Sequence, residues 1–445
     1  MEPKQPILDL GAEFYDAVVP ADFPQAIPRF LNRRWAERVG LSEIDWEGHF
    51  ARFEPLPGNL PEPLALRYHG HQFRHYNPDL GDGRGFTFAQ LSDERCRLLD
   101  LGTKGSGQTP WSRQGDGRLT LKGGVREVLA TEMLEALGVN TSKTFALFET
   151  GEQLVRGDEP SPTRSAVLTR LSHGHVRIGT FQRLAFSQDA AGLTKLTRYC
   201  LEHLYGENGD DPLRLFDLVS TATAGLAASY ITAGFVHGVL NSDNINVTGE
   251  SFDYGPWRFA PEWDESFTAA YFDHAGLYAF GRQPEAIQWD VAQLAGSLAL
   301  IGEAPRLADI LASWPGRFEA ALIERLLARL GVERDGDDRP LVSALLAALR
   351  SRTVGIDRLF FDLRGGRIPD VDIYRDAVFD DLRRALDGRQ RFLTHAYWSD
   401  PAPCSMLIDE VEEIWAAIAT RDDWVPFEAK IAAIRRMGEA MASDA

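Results

Sequence analysis

Short runs of alternating apolar and polar residues dominate the first 170 positions, and a spacing of two is typical of β-strands. Residues 86–91 and 97–104 predict a pair of neighbouring strands. Three further runs predict strands later in this region: 143–150, 153–157 and 166–171. Together they predict a sheet of about five strands.

The pattern changes to helical spacing over the rest of the chain. One helix is predicted inside the strand region, over residues 125–139, where an apolar stripe ends at Gly138. From about residue 194 onward, helical patterns follow one another at 193–206, 218–236, 289–302, 317–331, 337–351 and 404–419. The sequence therefore predicts an α+β protein with a strand-rich part and a helix-rich part.

Residues 218–236 carry no charge, and their length is close to that of a membrane-spanning helix. The segment is rich in Ser, Thr, Ala and Gly, and it lacks aromatic or basic flanks. These features favour a helix buried in a globular core over a membrane span.

Composition limits the possible partners. Apolar residues make up 44% and charged residues 25% of the chain, as in soluble globular proteins. The net charge of −18 argues against a nucleic acid or an anionic membrane as partner, because both are bound by basic surfaces. The three cysteines are far apart, and the first residues lack the apolar run of a signal peptide. We therefore expect reduced thiols and a cytoplasmic protein.

Two glycine-containing turns carry residues suited to phosphate binding. The first contains Gly81, Gly83 and Arg84. Glycines let backbone N–H groups approach a phosphate, and a guanidinium can bind it through two hydrogen bonds. The second turn contains Asp116 and Gly117. Taken alone, the first turn is better explained as an ordinary hairpin connection.

A cation and an acid follow the pattern that orients phosphates in protein kinases. Lys104 ends a predicted strand beside a glycine turn, and Glu127 lies in the first turn of the predicted helix. An exposed lysine and a surface glutamate are the alternatives. Arg170 and Arg177 lie seven residues apart and could both face an anionic ligand, or they could cap a helix or pair with surface acids.

The segment 237–254, HGVLNSDNINVTGESFDY, carries the candidate catalytic chemistry. Asp243, Asn244 and Asp253 offer hard oxygen ligands for Mg²⁺, although a polar turn would use the same residue types. Kinases place their catalytic aspartate two residues after the histidine, where this chain has Val239. The segment thus resembles a kinase site that is either inactive or chemically altered.

The motifs LGDGRG, KGSGQTPWSR, GDGR, VRE, TRL, HGVLNSDN and DYGP occur here in the order and spacing of the selenoprotein O family, which this chain resembles from about residue 30 to 300. The resemblance implies a bilobal protein-kinase-like fold that binds ATP in an inverted orientation and transfers AMP to Ser, Thr or Tyr hydroxyls of proteins. It implies an N-terminal extension (1–60), an N-lobe (61–172), a C-lobe (173–395) and a divergent helical tail (396–445).

The resemblance also assigns residue roles. Asp243 would be the general base, and Asn244 and Asp253 would bind Mg²⁺ or Mn²⁺. The nucleotide would contact Gly81, Gly83, Arg84, Lys104, Asp116, Gly117, Glu127, Arg170, Arg177 and Asp253. The implied partners are ATP, with UTP as a further possible nucleotide, and proteins that carry hydroxyl side chains, this chain itself included. A kinase and an ATP-binding scaffold without activity are the alternatives.

Three features depart from the family pattern. Arg74 and Asp290 replace residues that are usually small and Asn, respectively. The tail after about residue 395 lacks the terminal redox pair of some family members, so we expect no such redox control through Cys404.

Overall fold

Antiparallel hydrogen bonding organises the first part of the chain in the computed structural model, which describes residues 5–157 and 159–444. The strands are β1 (Tyr15–Ala17), β2 (Ile27–Leu31), β3 (Leu64–Leu66), β4 (Gly70–Gln72), β5 (His75–Asn77), β6 (Thr87–Ser92), β7 (Leu98–Lys104), β8 (Leu119–Thr120), β9 (Lys143–Leu154), β10 (Thr163–Ser172), β11 (Phe235–Val236) and β12 (Arg258–Phe259).

Eight of these strands form one sheet in the order β1-β3-β6-β7-β10-β9-β2, with β8 paired to β10. The prediction of about five strands was too low, because β1, β2, β3 and β8 are too short to show alternation. The predicted strands 143–150 and 153–157 merge into one strand, β9, which ends at Leu154. Its pairing register with β10 shifts where Gly151 adopts a φ of 80°.

The helices are α1 (Arg33–Arg38), α2 (Trp46–Phe50), α3 (Leu121–Ala136), α4 (Ile178–Phe186), α5 (Ala190–Tyr199), α6 (Pro212–Ala233), α7 (Gln283–Leu298), α8 (Ala304–Ala312), α9 (Trp314–Leu330), α10 (Arg339–Arg350), α11 (Ile356–Asp362), α12 (Asp380–Leu386), α13 (Ile408–Arg421) and α14 (Val425–Ser443). The chain is thus a mixed α and β protein with a large antiparallel sheet and many helices, as predicted.

Helix α3 begins four residues earlier than predicted because the Thr120 side chain accepts a hydrogen bond from the Gly123 N–H and caps the first turn. It packs against β9 and β10 on one side and against α14 on the other. The tail helix α14 therefore lies against the strand-rich part of the molecule, and β1 and β2 bring residues of the first sixty into the same sheet.

The uncharged segment 218–236 lies within α6, a buried helix that packs against α7 and α9. Asp211 caps its first turn, and Gly234 ends it with a left-handed φ of 70°. None of the helices in the described part of the chain is long and apolar enough to cross a membrane.

The segment 237–254 is a long connection between β11 and β12, which pair with each other. A short 3-10 helix, Ser242–Asn244, interrupts it and fixes the backbone around Asp243. This connection faces the ends of β7 and β10, where the candidate residues meet.

Candidate functional site

A cleft of about 750 Å³ lies where the sheet meets the helical part of the chain. Every predicted site residue except Glu127 lines it: Gly81, Gly83, Arg84, Lys104, Asp116, Gly117, Arg170, Arg177, Asp243, Asn244 and Asp253. Residues separated by more than 170 positions in the sequence thus converge on one cleft.

Lys104 and Glu127 form a buried ion pair beneath the cleft. The Lys104 Nζ donates to Glu127 Oε2 over 2.5 Å and to the Tyr254 carbonyl over 3.2 Å. Burial lowers the pKa of Lys104, and the Glu127 carboxylate opposes that shift. The alternatives of an exposed lysine and a surface glutamate are therefore wrong, since both side chains are almost fully buried.

Asp253 is held by two arginines. Arg170 Nη1 donates to its Oδ1 over 2.6 Å, and Arg177 Nη1 donates to its Oδ2 over 2.8 Å. Burial alone would raise the pKa of Asp253, but Arg170, Arg177 and Lys104 hold it well below its ordinary value. Both arginines are buried at the cleft, so neither serves a surface acid as the alternative interpretation required.

The three buried cations Lys104, Arg170 and Arg177 form a cation cluster around Asp253, and Asp243 is buried at the side of this cluster. Its Oδ1 has no hydrogen-bond partner, and burial raises its pKa to about 6 although Arg177 acts in the opposite direction. A Cβ atom on Gly70 would lie 2.7 Å from this oxygen, so a glycine is required there for the chain to pass so close. The carboxylate is therefore positioned by tight packing, with one oxygen left for another partner.

The second glycine turn is closely packed over the cleft. Gly117 has a φ of 69°, and a Cβ there would lie 2.2 Å from the Gly107 carbonyl group. Asp116 accepts two hydrogen bonds from Arg156, over 2.8 and 3.1 Å, so it lies at the cleft edge as half of an ion pair.

Two further residues of the site were not predicted. Asp82 accepts from Arg177 Nη2 over 3.3 Å and from the Leu66 N–H over 3.0 Å, and so links the first glycine turn to the cation cluster. Its position between Gly81 and Gly83 was a usable signal. Arg156 carried none, because its partner Asp116 is forty residues away in the sequence.

The donors available to a divalent cation are oxygens of Asn244 and Asp253. Asn244 donates its amide nitrogen to the Val239 carbonyl over 3.0 Å, which leaves its amide oxygen for a cation. Within the described residues, no three His, Cys, Asp or Glu side chains cluster as a self-sufficient metal site. The donor set fits Mg²⁺ or Mn²⁺ held jointly by the protein and ligand phosphates, since Mg²⁺ is commonly bound through one or two carboxylates.

Buried cations cluster here beside close glycine turns and a carboxylate that has a free oxygen. Together these features define a site for a phosphorylated substrate next to a candidate proton acceptor. Enzymes that transfer phosphoryl or nucleotidyl groups form the class with such sites.

Comparison with known proteins gives the family. The model of the family described as "Protein adenylyltransferase SelO" matches residues 2–400. The protein nucleotidyltransferase YdiU of Synechocystis sp. is 40% identical, with 95% of this chain and 96% of that protein covered. YdiU of Gloeobacter violaceus is 42% identical, with 96% and 93% covered. YdiU of a Synechococcus species is 40% identical, with 98% and 95% covered.

The chain belongs to the SelO family of protein adenylyltransferases. The resemblance predicted from the motifs is confirmed, and it extends well beyond residues 30–300. Because the match to the Synechococcus protein covers 98% of the chain, it also includes most of the tail after residue 395.

Proposed function

We propose that this chain binds ATP together with Mg²⁺ or Mn²⁺ in the cleft and transfers AMP to Ser, Thr or Tyr hydroxyls of proteins. The observation that carries the proposal is the position of Asp243, a buried carboxylate with a free oxygen close to the buried Arg177. In this site Val239 occupies the position where kinases carry their catalytic aspartate, and it cannot accept a proton.

The proposed architecture is a bilobal kinase-like fold. Residues 61–172 supply β3 to β10 and α3 as the N-lobe, and residues 173–395 supply most of the helices as the C-lobe. Residues 1–60 and 396–445 are the extensions. The buried pair Lys104–Glu127 at the junction supports this assignment, because kinases use the same strand-to-helix ion pair to orient phosphates.

Charge balance supports a triphosphate with a divalent cation as the ligand. The charges of Arg170 and Arg177 are partly neutralised by their ion pairs with Asp253. A nucleotide bound with its cation would bring a positive charge to Asp253 and phosphates to the two arginines. The exchange leaves no buried charge without a partner, which is the condition for low energetic cost in a desolvated site.

The proposed inverted orientation of ATP places the α-phosphate near Asp243. Arg84, at the exposed edge, and Gly117, in the close-packed turn, both line the cleft, which supports their assignment as phosphate contacts. An inverted nucleotide needs a base at a new place relative to the attacked phosphorus, and Asp243 supplies one. The divalent cation would neutralise charge on the phosphate oxygens at Asn244 and Asp253.

In the transfer step, the acceptor hydroxyl oxygen bonds to the α-phosphorus while the bond from that phosphorus to the α–β bridging oxygen breaks. The hydroxyl proton passes to the free oxygen of Asp243, and pyrophosphate leaves with the electron pair of the broken bond. Lys104, Arg170 and Arg177 lie where they can stabilise the negative charge on the phosphates.

The test follows the label from ATP into protein. Wild-type protein incubated with Mn²⁺ and α-labelled ATP should become labelled, or should label an acceptor protein, and γ-labelled ATP should leave no label. The intact mass of a self-modified chain should increase by one AMP. Label from the γ position alone would make the chain a kinase, and no label from either position would favour an inactive scaffold.

Asp243→Asn tests the assigned base. It preserves the size of the side chain, so we expect nucleotide binding within about twofold of wild type and a rate about 10²–10⁴-fold lower, the usual contribution of a general base. Asp210→Asn, at an exposed surface aspartate, is the matched control. Unchanged transfer by Asp243→Asn would exclude Asp243 as the base.

A further inference from the structure

Two neighbouring aromatic side chains are exposed, and one of them contacts the β4–β5 hairpin, whose Gln72 lines the catalytic cleft. Tyr271 is 78% and Phe272 is 42% exposed, in the loop that follows the segment carrying Asp253. Their rings contact each other with centroids 5.1 Å apart. Large aromatic side chains exposed together are unusual on a surface without a binding role.

These rings are linked to the cleft through Phe73, at the turn between β4 and β5, since the neighbouring Gln72 lines the cleft. The Phe73 ring lies 5.9 Å from Phe272 and 5.0 Å from Tyr278, measured between centroids. The name aromatic rim is used here for Phe73, Tyr271 and Phe272.

The loop that carries Tyr271 and Phe272 is fixed at both ends. The Asp273 carboxylate accepts hydrogen bonds from the N–H groups of Leu277 and Tyr278, both over 2.8 Å. On the other side, Ala269 is buried against Gly238, where a Cβ would lie only 3.0 Å from the alanine side chain. The exposed rings therefore project from a rigid support, and the neighbouring Val239 lines the cleft.

The β4–β5 hairpin is hydrogen-bonded directly to the catalytic segment. The Phe73 N–H donates to Asn241 Oδ1 over 3.0 Å, and the His71 N–H donates to Ser242 Oγ over 2.7 Å. Asn241 Oδ1 also accepts from the Tyr278 hydroxyl over 2.7 Å. Asn241 and Ser242 immediately precede Asp243, so the aromatic rim has a fixed position relative to the proposed base.

The turn of this hairpin has an unfavourable backbone. Phe73 and Arg74 have φ values of 49° and 63°, in the left-handed region that Asn and Gly occupy in such turns. The Arg74 guanidinium lies over the Trp289 ring at 5.4 Å and pairs with Glu285 over 3.0 Å, which holds the turn in place. A bulky residue kept in this conformation next to a catalytic segment indicates a functional role for its side chain.

We propose that the aromatic rim is the docking surface for the acceptor protein, which binds as an extended segment with an apolar side chain three or four residues from the modified hydroxyl. This inference rests on the proposed function, because it assumes a polypeptide acceptor at Asp243. The rim and the cleft are continuous through Asn241, so one segment can reach both.

The spacing follows from the chain geometry. Asn241 is two residues from Asp243, at most about 7 Å away between Cα atoms, and the Phe73 backbone is one hydrogen bond farther. An extended peptide advances about 3.3 Å per residue. Asp243 and the Phe73 backbone are therefore separated by at most about 10–13 Å, and three or four residues of an extended acceptor span that distance.

The test uses synthetic peptides with one Ser, Thr or Tyr acceptor and either Phe or Asp at each position within four residues of it. With α-labelled ATP and Mn²⁺, wild-type protein should prefer Phe at three or four residues from the acceptor. The double variant Tyr271→Ser/Phe272→Ser should lose that preference through a KM for Phe peptides raised at least tenfold. Its nucleotide affinity and its transfer to Asp peptides should stay at wild-type values.

Phe392→Ser is the control, since Phe392 is 90% exposed and does not line the cleft. Equal KM values for wild type and the double variant would overturn the docking inference, as would a wild type that modifies itself but shows no preference among the peptides. Absence of AMP transfer from wild type to peptides and to itself would refute the proposed function instead, so the two failures are distinguishable.

Discussion

Glu250 offers a quantitative test of how burial sets the energetics around the site. It lies three residues before Asp253, and its Oε2 accepts a hydrogen bond from the N–H of His173 over 2.8 Å. His173 lies between Arg170 and Arg177 in the sequence. Burial raises its pKa from 4.5 to about 7, although Lys143, Arg97 and Arg170 act in the opposite direction. Between these two pKa values the folded protein therefore binds a proton at Glu250 that the unfolded chain does not hold.

The sign of the pH effect follows from this raised pKa. The stability associated with protonated Glu250 is fully present below pH 4.5 and is lost as the pH rises through about 7. One pKa unit corresponds to about 1.36 kcal/mol, so ionisation of Glu250 destabilises the fold by roughly 3 kcal/mol above pH 8. Of this penalty, roughly 2–3 kcal/mol develops between pH 5 and pH 8.

Glu250→Gln removes the ionisation and keeps an oxygen that can accept from His173. We expect urea unfolding, followed by tryptophan fluorescence, to show that the wild-type protein loses roughly 2–3 kcal/mol more than the variant between pH 5 and pH 8. Glu428→Gln, at an exposed glutamate, measures the effect of removing a surface charge. The infrared absorption of protonated carboxyl groups at pH 6 should be weaker in Glu250→Gln than in wild type by the contribution of one carboxyl group.

Parallel pH dependences for wild type and Glu250→Gln would refute the reasoning. That result would mean that water or Lys143 compensates the buried charge, and that Glu250 is ionised at neutral pH.

Two further substitutions test the glycine turn and the contact of the tail. In a binding titration, Gly117→Ala should reduce nucleotide affinity at least tenfold, since its Cβ would lie 2.2 Å from the Gly107 carbonyl group. Gly157→Ala should leave the affinity unchanged, because a Cβ at that position meets nothing within 4 Å. In urea unfolding, Arg435→Ala should destabilise the fold by about 2–4 kcal/mol, because it leaves the buried Glu132 carboxylate with weaker partners. Arg421→Ala, at the surface, should destabilise the fold by less than about 0.5 kcal/mol.

Local motifs made most of the cleft predictable. Lys104, Asp243 and Asp253 each lie beside glycine, asparagine or tyrosine in short motifs, so the sequence alone marked them as candidate site residues. Their convergence on one cleft depends on long-range packing, and only the structure shows it.

Contacts between distant segments could not be predicted. The strands β1 and β2 are short and pair with partners far along the chain, and short strands give too few alternating positions for a periodic signal. The Phe73 turn was also missed, because left-handed backbone at a phenylalanine has no signature in the sequence. Turn prediction relies on glycine and asparagine, and the turn has neither of them at its two left-handed positions, Phe73 and Arg74.

Helix α3 connects the tail with the site. Glu127 in its first half binds Lys104 over 2.5 Å, and Glu132 in its second half accepts from Arg435 of α14 over 2.7 and 3.1 Å. Both glutamates are buried on one rigid helix, so the position of α14 constrains the position of the carboxylate that orients Lys104. A helix that carries two buried carboxylates paired with different segments has few alternative placements, because each would leave a carboxylate without its cation. The tail therefore belongs to the structure that supports the cleft, although it lies far from Asp243 in the sequence.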